Sequence, residues 1–284
     1  MKILMFGETG QVAREILRRA GAHEIVALGR GLADLADPEA CARAMEAAEV
    51  DAVLNAAAWT DVDGAESAED AARRVNAEAP GAMARAAAAR GLPFVHISTD
   101  YVFDGAGEAP RREDEPVAPL SAYGRTKLEG ERAVAAAGGS HAILRTSWVF
   151  SAHGKNFVKT MLRVGPERGA LKVVDDQVGG PTPAAAIADA CLAVAAALAA
   201  GRGASGVYHF AGAPAVSWRG FAEAIFAEAG LSVSVAPIAT ADWPTPARRP
   251  LNSRLDCGKI EATFGVQAPD WRAGLADVVK ELKA

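Results

Sequence analysis

Short apolar runs alternate along the chain with longer segments whose apolar positions recur at helical spacing. KILMF (2–6), EIVAL (24–28), AVLNAAA (52–58), FVHIS (94–98) and AILRT (142–146) are predicted to be buried parallel strands. A strand covered on both faces reads as a continuous apolar run rather than an alternation. Between these runs, 11–20, 37–49, 68–89 and 121–137 are predicted helices. Alternating strands and helices predict an α/β protein with a doubly wound parallel sheet. Pro80 falls inside the third helical segment, where it either breaks the helix or marks a tolerated kink. Beyond residue 150 the pattern loosens. Proline and glycine cluster at GGPTP (179–183) and PTPARRP (244–250), which predicts loops of the kind that carry substrate contacts. Shorter helices are expected at 184–200, 217–229 and 271–282.

Composition narrows the class. The chain has 284 residues, half of them hydrophobic, enough for one large core or one and a half. The net charge is -5 and both signs are interspersed, so nucleic acid is not an expected partner. Cys41, Cys191 and Cys257 are odd in number and far apart, which argues against a disulfide framework. The apolar start, MKILMFG, is too short for a signal peptide. The alanine-rich run 184–200 contains Asp189 and is expected to be a buried helix, not a membrane span. A cytoplasmic protein with no membrane partner is expected.

The first strand runs into GETGQVA, with Gly7, Gly10 and Ala13. A dinucleotide needs a tight bend, a close backbone approach to its pyrophosphate, and a small residue where helix meets strand. The helix N-terminus then offers free N–H groups to the phosphates. The second strand ends at Gly29-Arg30, where a carboxylate would hold a ribose 2′-hydroxyl. An arginine there suits a 2′-phosphate, so NADP(H) is favoured and NAD(H) stays open. Asp34 and Leu35 follow at a position that could flank an adenine. An ordinary βα turn and a solvent-facing Arg30 are the competing readings.

Tyr123 and Lys127 lie four residues apart in SAYGRTKLEGE (121–131). On a helix they share a face. A free tyrosine titrates near pH 10, and a neighbouring ammonium would lower that value toward general-acid use. The same lysine could hold a nicotinamide ribose. The bland alternative is a packed tyrosine beside a solvated lysine. The strand FVHISTD ends in Ser98, Thr99 and Asp100, where a hydroxyl could meet a substrate oxygen, or simply cap a turn. The strand end NAAAWT (55–60) has small residues that leave room for a ribose. His96 and His209 sit in apolar runs and read as satisfied core residues. Histidine and cysteine spacing shows no metal-ligand pattern, so no metal site is expected.

Together, the glycine turn, the strand-end Thr99 and the Tyr-x-x-x-Lys helix resemble the extended short-chain dehydrogenase/reductase superfamily. STDYVFDG (98–105), YGRTKLEGE (123–131), RTSWVF (145–150), NFVKTML (156–162), DQVGGPT (176–182) and PTPARRPLNSRL (244–255) are similar, in order, to the dTDP-4-dehydrorhamnose reductase family. The resemblance covers essentially the whole chain. It implies an NADP(H)-binding Rossmann domain over residues 1–150, with later segments interleaved, and a mainly substrate-binding lobe over 151–284. It implies reduction of the C4 keto group of dTDP-4-dehydro-L-rhamnose to dTDP-L-rhamnose. Tyr123 would be the proton donor, Lys127 would lower its pKa and bind the ribose, and Thr99 would hydrogen-bond near the reacting oxygen. Gly7, Gly10, Gln11, Val12, Arg30, Asp34, Leu35, Ala58, Trp59 and Thr60 would join Tyr123 and Lys127 around the cofactor. Thr99, Asp100, Trp148, Asn156 and Arg248 would face the nucleotide-sugar substrate, with Trp148 against the sugar and the Arg248-Arg249 pair toward the diphosphate. A core tryptophan and a surface basic pair are the alternatives there. Some members of the family bind Mg²⁺ between subunits. Glu15 is one candidate ligand, but 183–189 has alanines where a second carboxylate would help, so no such site is expected. A homodimer stays open.

Two other classes compete. One is the non-catalytic regulatory subunit of methionine adenosyltransferase, against which the intact Tyr123, Lys127 and Thr99 set argues. The other is a nucleotide-sugar 4,6-dehydratase or 4-epimerase. A dehydratase needs a carboxylate pair after the strand-end threonine, and here Asp100 is followed by Tyr101.

Overall fold

A computed structural model describes residues 1–46 and 48–284. The five apolar runs become strands at their predicted places: β1 Lys2–Phe6, β2 Glu24–Leu28, β3 Ala52–Asn55, β4 Phe94–Thr99 and β5 His141–Thr146. A sixth strand, Gly206–His209, comes from beyond residue 150 and pairs with β5. Across the sheet the order is Gly206–His209, β5, β4, β3, β1, β2, and every pair is parallel. The winding reverses at β1, which lies between β2 and β3. A crevice opens outside the carboxyl ends of the strands at such a point. β3 is shorter than its apolar run because Ala56, Ala57 and Ala58 leave the sheet to line that crevice.

The strands are apolar on both sides because both faces are covered. Ile3, Met5, Leu54 and Leu144 pack with Ile16 of helix Gln11–Arg18 and Ile187 and Cys191 of helix Ala184–Ala199. Leu4, Phe6, Val53 and Phe94 pack with Met45 of helix Pro38–Glu46 and Met83 and Ala87 of helix Ala79–Ala89. The alanine-rich helix therefore lies against the sheet, as its composition predicts. No helix among the described residues is long and apolar enough to cross a membrane. A separate core gathers Phe150, Val158, Phe221, Ile225, Trp271 and Leu275 under helices Phe157–Arg168, Trp218–Ala229 and Trp271–Lys283. Helix Phe157–Arg168 and strand Gly206–His209 are absent from the expectations above. Gly165 and Pro166 interrupt the helical pattern of the first, and the second is only four residues long.

Pro80 neither ends nor kinks its helix outright. Glu69–Arg73 is α-helical, Arg74–Glu78 widens into a π-turn, and Ala79–Ala89 resumes the α-helix. Proline has no N–H for the carbonyl four residues back, here Asn76, and the wide turn absorbs that mismatch. The neighbouring helix Ala122–Ala136 comes close at that carbonyl through Gly130, where any Cβ would collide with the Asn76 oxygen. Asn76 also accepts the Trp59 N–H at 2.9 Å and reaches Thr126 Oγ1 at 3.2 Å.

Gly130→Ala is expected to push the helices apart and cost about 1–3 kcal/mol, the usual penalty for overpacking. Denaturant unfolding monitored by far-UV circular dichroism checks this, and an unchanged midpoint would contradict it.

Candidate active site

β1 ends at Gly7, whose φ of +104° suits glycine alone among the amino acids. A Cβ there would also press on the Ala56 and Ala57 backbone at 3.2 Å. Helix Gln11–Arg18 starts at Gly10 with no side-chain cap, so its first N–H groups stay available to a ligand. This turn, with Gln11 and Val12, lines one end of a cleft of about 790 Å³. Arg30, Asp34 and Leu35 line it further out, and Ala58 and Thr60 line it from the end of β3. Asp34 accepts the Ala36 N–H at 3.0 Å, so its carboxylate is partly spent on its own turn. Glu8 is a lining residue that the sequence reading missed. Its carboxylate lies beside Gly29, where a Cβ would meet Glu8 Oε2 at 2.5 Å.

The same cleft receives Tyr123, Lys127, Thr99 and Asp100. Ser121 caps helix Ala122–Ala136 by accepting the Gly124 N–H, and the 3.6-residue period then turns Tyr123 and Lys127 the same way. Lys127 is 1% exposed. Its Nζ donates to the Ile97 carbonyl at 2.6 Å and lies 3.4 Å from His96 Nε2. Burial lowers the ammonium pKa to about 8, with Glu131 pulling weakly the other way. Thr99 stands at the carboxyl end of β4, with its Oγ1 accepting the Tyr101 N–H and donating to Asp100 at 3.2 Å. Tyr123 keeps part of its ring open to the cleft and meets Tyr101 edge to face at 5.6 Å.

One expectation is corrected here. Lys127 does not lower the Tyr123 pKa in this structure. Burial raises the phenol to about 12, interaction with Thr99 lowers it, and Asp100 raises it. The phenol is therefore a protonated donor at neutral pH. Asp100 is 2% exposed, its Oδ2 has no hydrogen-bond partner, and burial raises its pKa to about 7.

The residues assigned to substrate divide. Trp148 lines the cleft and stacks on Trp218 with ring centroids 3.6 Å apart, holding a left-handed backbone at φ 49°. Trp218, an unpredicted second aromatic, comes from the helix of the other core. Asn156 is not part of the lining. It caps helix Phe157–Arg168 and donates at 2.9 Å to Oε1 of Gln11, a residue that does line the cleft. Arg248 is exposed away from the lining, while Arg249 pairs with Asp63 at 2.8 Å. Trp59 packs beside Tyr123 on Ala65, Ala72 and Ala122 rather than lining the cleft. Glu15 is 3% exposed and faces His153 at 3.2 Å. Thr146, Lys155 and Val149 line the cleft without a sequence signal to single them out. His96 and His209 are buried and hydrogen-bonded, as core histidines should be. The arrangement sets a protonated phenol beside a strand-end hydroxyl, at the inner end of a glycine-turn cleft.

The family model described as the RmlD substrate binding domain matches residues 1–284. The dTDP-4-dehydrorhamnose reductase of Burkholderia thailandensis is 48% identical over 295 residues, covering 99% of each chain. Among solved structures, a dTDP-4-dehydrorhamnose reductase from Clostridium acetobutylicum superimposes with a TM-score of 0.94 at 37% identity, over 100% of both chains. The dTDP-4-dehydrorhamnose reductase of Bacillus anthracis, in complex with NADP, gives 0.92 at 30% identity over 99% of both.

Asp100 generates a pH prediction. Its folded pKa of about 7 stands above the ordinary value of 3.8, so the folded state holds the proton more tightly. That contribution is complete at low pH and is lost as pH rises to about 7. Asp100→Asn is nearly isosteric and cannot ionise. Its stability relative to the parent should rise between about pH 4 and pH 7, by at most about 4 kcal/mol for a three-unit shift. A pH-independent difference in thermal scans would contradict the assignment.

Proposed function

The chain belongs to the dTDP-4-dehydrorhamnose reductase family, and from that premise we propose that it reduces the C4 keto group of dTDP-4-dehydro-L-rhamnose to dTDP-L-rhamnose with NADPH. The observation that carries this reading is the convergence of Tyr123, Lys127 and Thr99 on the cleft that the Gly7–Gly10 turn opens. The tight Gly7 bend and the uncapped start of helix Gln11–Arg18 fit a pyrophosphate. Arg30 suits a 2′-phosphate. When bound, NADPH supplies the hydride. Residues 1–150, with strand Gly206–His209 and helix Ala184–Ala199, form the cofactor half in this reading, and the remaining segments form mainly the substrate lobe.

Tyr123 then gives its phenolic proton to the C4 oxygen as that oxygen gains charge. Its raised pKa keeps the proton in place until the charge develops. Thr99 holds the same oxygen by hydrogen bonding and fixes the approach of the phenol. Lys127, with a pKa near 8, binds the nicotinamide ribose and is a ready source for reprotonating Tyr123. Trp148 packs on the sugar face, and Asp100 accepts or donates a hydrogen bond at a sugar hydroxyl.

Tyr123→Phe is expected to lower kcat by about 10²–10⁴-fold, the usual worth of a general acid, with NADPH binding retained. Stopped-flow NADPH oxidation and fluorescence titration measure the two separately, and an unchanged kcat would remove Tyr123 from the role. Arg30→Ala should raise KM for NADPH by about tenfold, equivalent to ~1.4 kcal/mol, and leave KM for NADH nearly unchanged. An equal effect on both cofactors, or a clear preference of the parent enzyme for NADH, would contradict the 2′-phosphate assignment. Absence of NADPH-linked dTDP-rhamnose formation from authentic keto-sugar would overturn the whole reading.

A further inference from the structure

Three buried side chains on one face of the sheet form a hydrogen-bonded line: Asn55 on β3, His96 on β4 and Lys127 on the covering helix. Asn55 and His96 are cross-strand partners in the parallel register. They are 1% and 0% exposed, and Lys127 is 1%. The Ala57 N–H donates to Asn55 Oδ1 at 3.1 Å, which fixes the orientation of the amide. The amide nitrogen, Nδ2, therefore faces His96 Nδ1 at 3.1 Å and can only donate to it. An imidazole that accepts at Nδ1 and is neutral must carry its proton on Nε2. That Nε2 lies 3.4 Å from Lys127 Nζ, whose own donor goes to the Ile97 carbonyl at 2.6 Å.

We propose that His96 is a positioning residue for Lys127: Asn55 fixes it as the Nε2–H tautomer, so that it presents a donor, not an acceptor, to the lysine nitrogen. A neutral amine suits both neighbours, accepting from His96 with its lone pair and donating to Ile97. An ammonium suits only Ile97, because the N–H that replaces the lone pair points at another N–H. The pair thus loosens the proton on Lys127 and makes the lysine a better donor to the site than a solvated one. The other charged groups bearing on it are Glu131, one turn along the same helix, and Arg145 on β5. Arg145 grips Glu131 at 2.7 and 2.9 Å, and Ser98 donates to it at 2.6 Å. This engagement leaves Glu131 little capacity to stabilise the ammonium. Burial and the lysine charge together keep His96 itself neutral, well below its ordinary pKa. The inference rests on the proposed role of Lys127 in the reduction for its catalytic meaning, but not for its structural content.

The test is two-bond ¹H–¹⁵N correlation on the full-length protein labelled with ¹⁵N-histidine, with His96 assigned by loss of its signals in His96→Gln. The expected spectrum shows His96 protonated at Nε2 and bare at Nδ1 from mildly acid to alkaline pH. An Nδ1–H tautomer or an imidazolium in the parent protein would overturn the proposal, whatever the activity. Asn55→Asp provides the second arm. It keeps the acceptor for the Ala57 N–H but faces His96 with an acceptor, so the tautomer should switch to Nδ1–H. The bare Nε2 then accepts from an ammonium, and the alkaline limb of kcat against pH should move up by about one unit. A tautomer that stays unchanged in the variant, or a limb that stays put while the tautomer switches, would likewise overturn it. If the enzyme turned over no keto-sugar at all, the proposed function would fail while the parent spectrum would still decide this inference.

Discussion

An amino group has been taken out of water at the seam between β4 and helix Ala122–Ala136, and much of the site follows from it. Lys127 can be buried there only because the Ile97 carbonyl and the His96 ring meet its nitrogen. Those two partners come from adjacent positions of one strand, so the lysine holds the helix to the sheet in one register. Tyr123, one turn earlier on that helix, is thereby aimed at Thr99 at the strand end. Desolvation at this seam also sets the chemistry. It loosens the lysine proton and tightens the phenol proton, which is the order needed if one is to replenish the other.

Close approach makes the seam possible. Gly130 lets the helix meet the Asn76 carbonyl, to which Pro80, four residues on, has no N–H to donate. The π-turn at Arg74–Glu78 is thus part of how the helix carrying Tyr123 and Lys127 is seated. Asn76 then ties the turn to Trp59, which supports the flank of Tyr123. A second polar layer lies beside the first. Glu131, Ser98 and Arg145 repeat the Lys127 and His96 geometry one helical turn and two strand residues along, since i, i+4 on a helix and i, i+2 on a strand return to the same face.

The other side of the cleft is built by the second core. Trp148 follows β5, while Trp218 opens the helix whose Phe221 packs on Trp271, so their stack joins the two bodies across the site. Asn156 and Gln11 make a similar tie lower down. These bridges give the second core a fixed relation to the glycine turn.

Local chemistry determined a good deal from sequence alone. Five apolar runs, the glycine turn, the helix over 121–137 and the Tyr123–Lys127 spacing depend on period, φ and neighbours a few residues away, and all appear where that reasoning puts them. The tertiary structure decided what depends on partners distant in the chain. It recruited Gly206–His209 into the sheet, set Asn156 as a helix cap, left Arg248 exposed outside the cleft lining and brought in Glu8 and Trp218. It also reversed the expected effect on Tyr123. Spacing along a helix says that a lysine is near, but only the packed seam says how little water surrounds both groups, and for buried charges the missing water outweighs the neighbour.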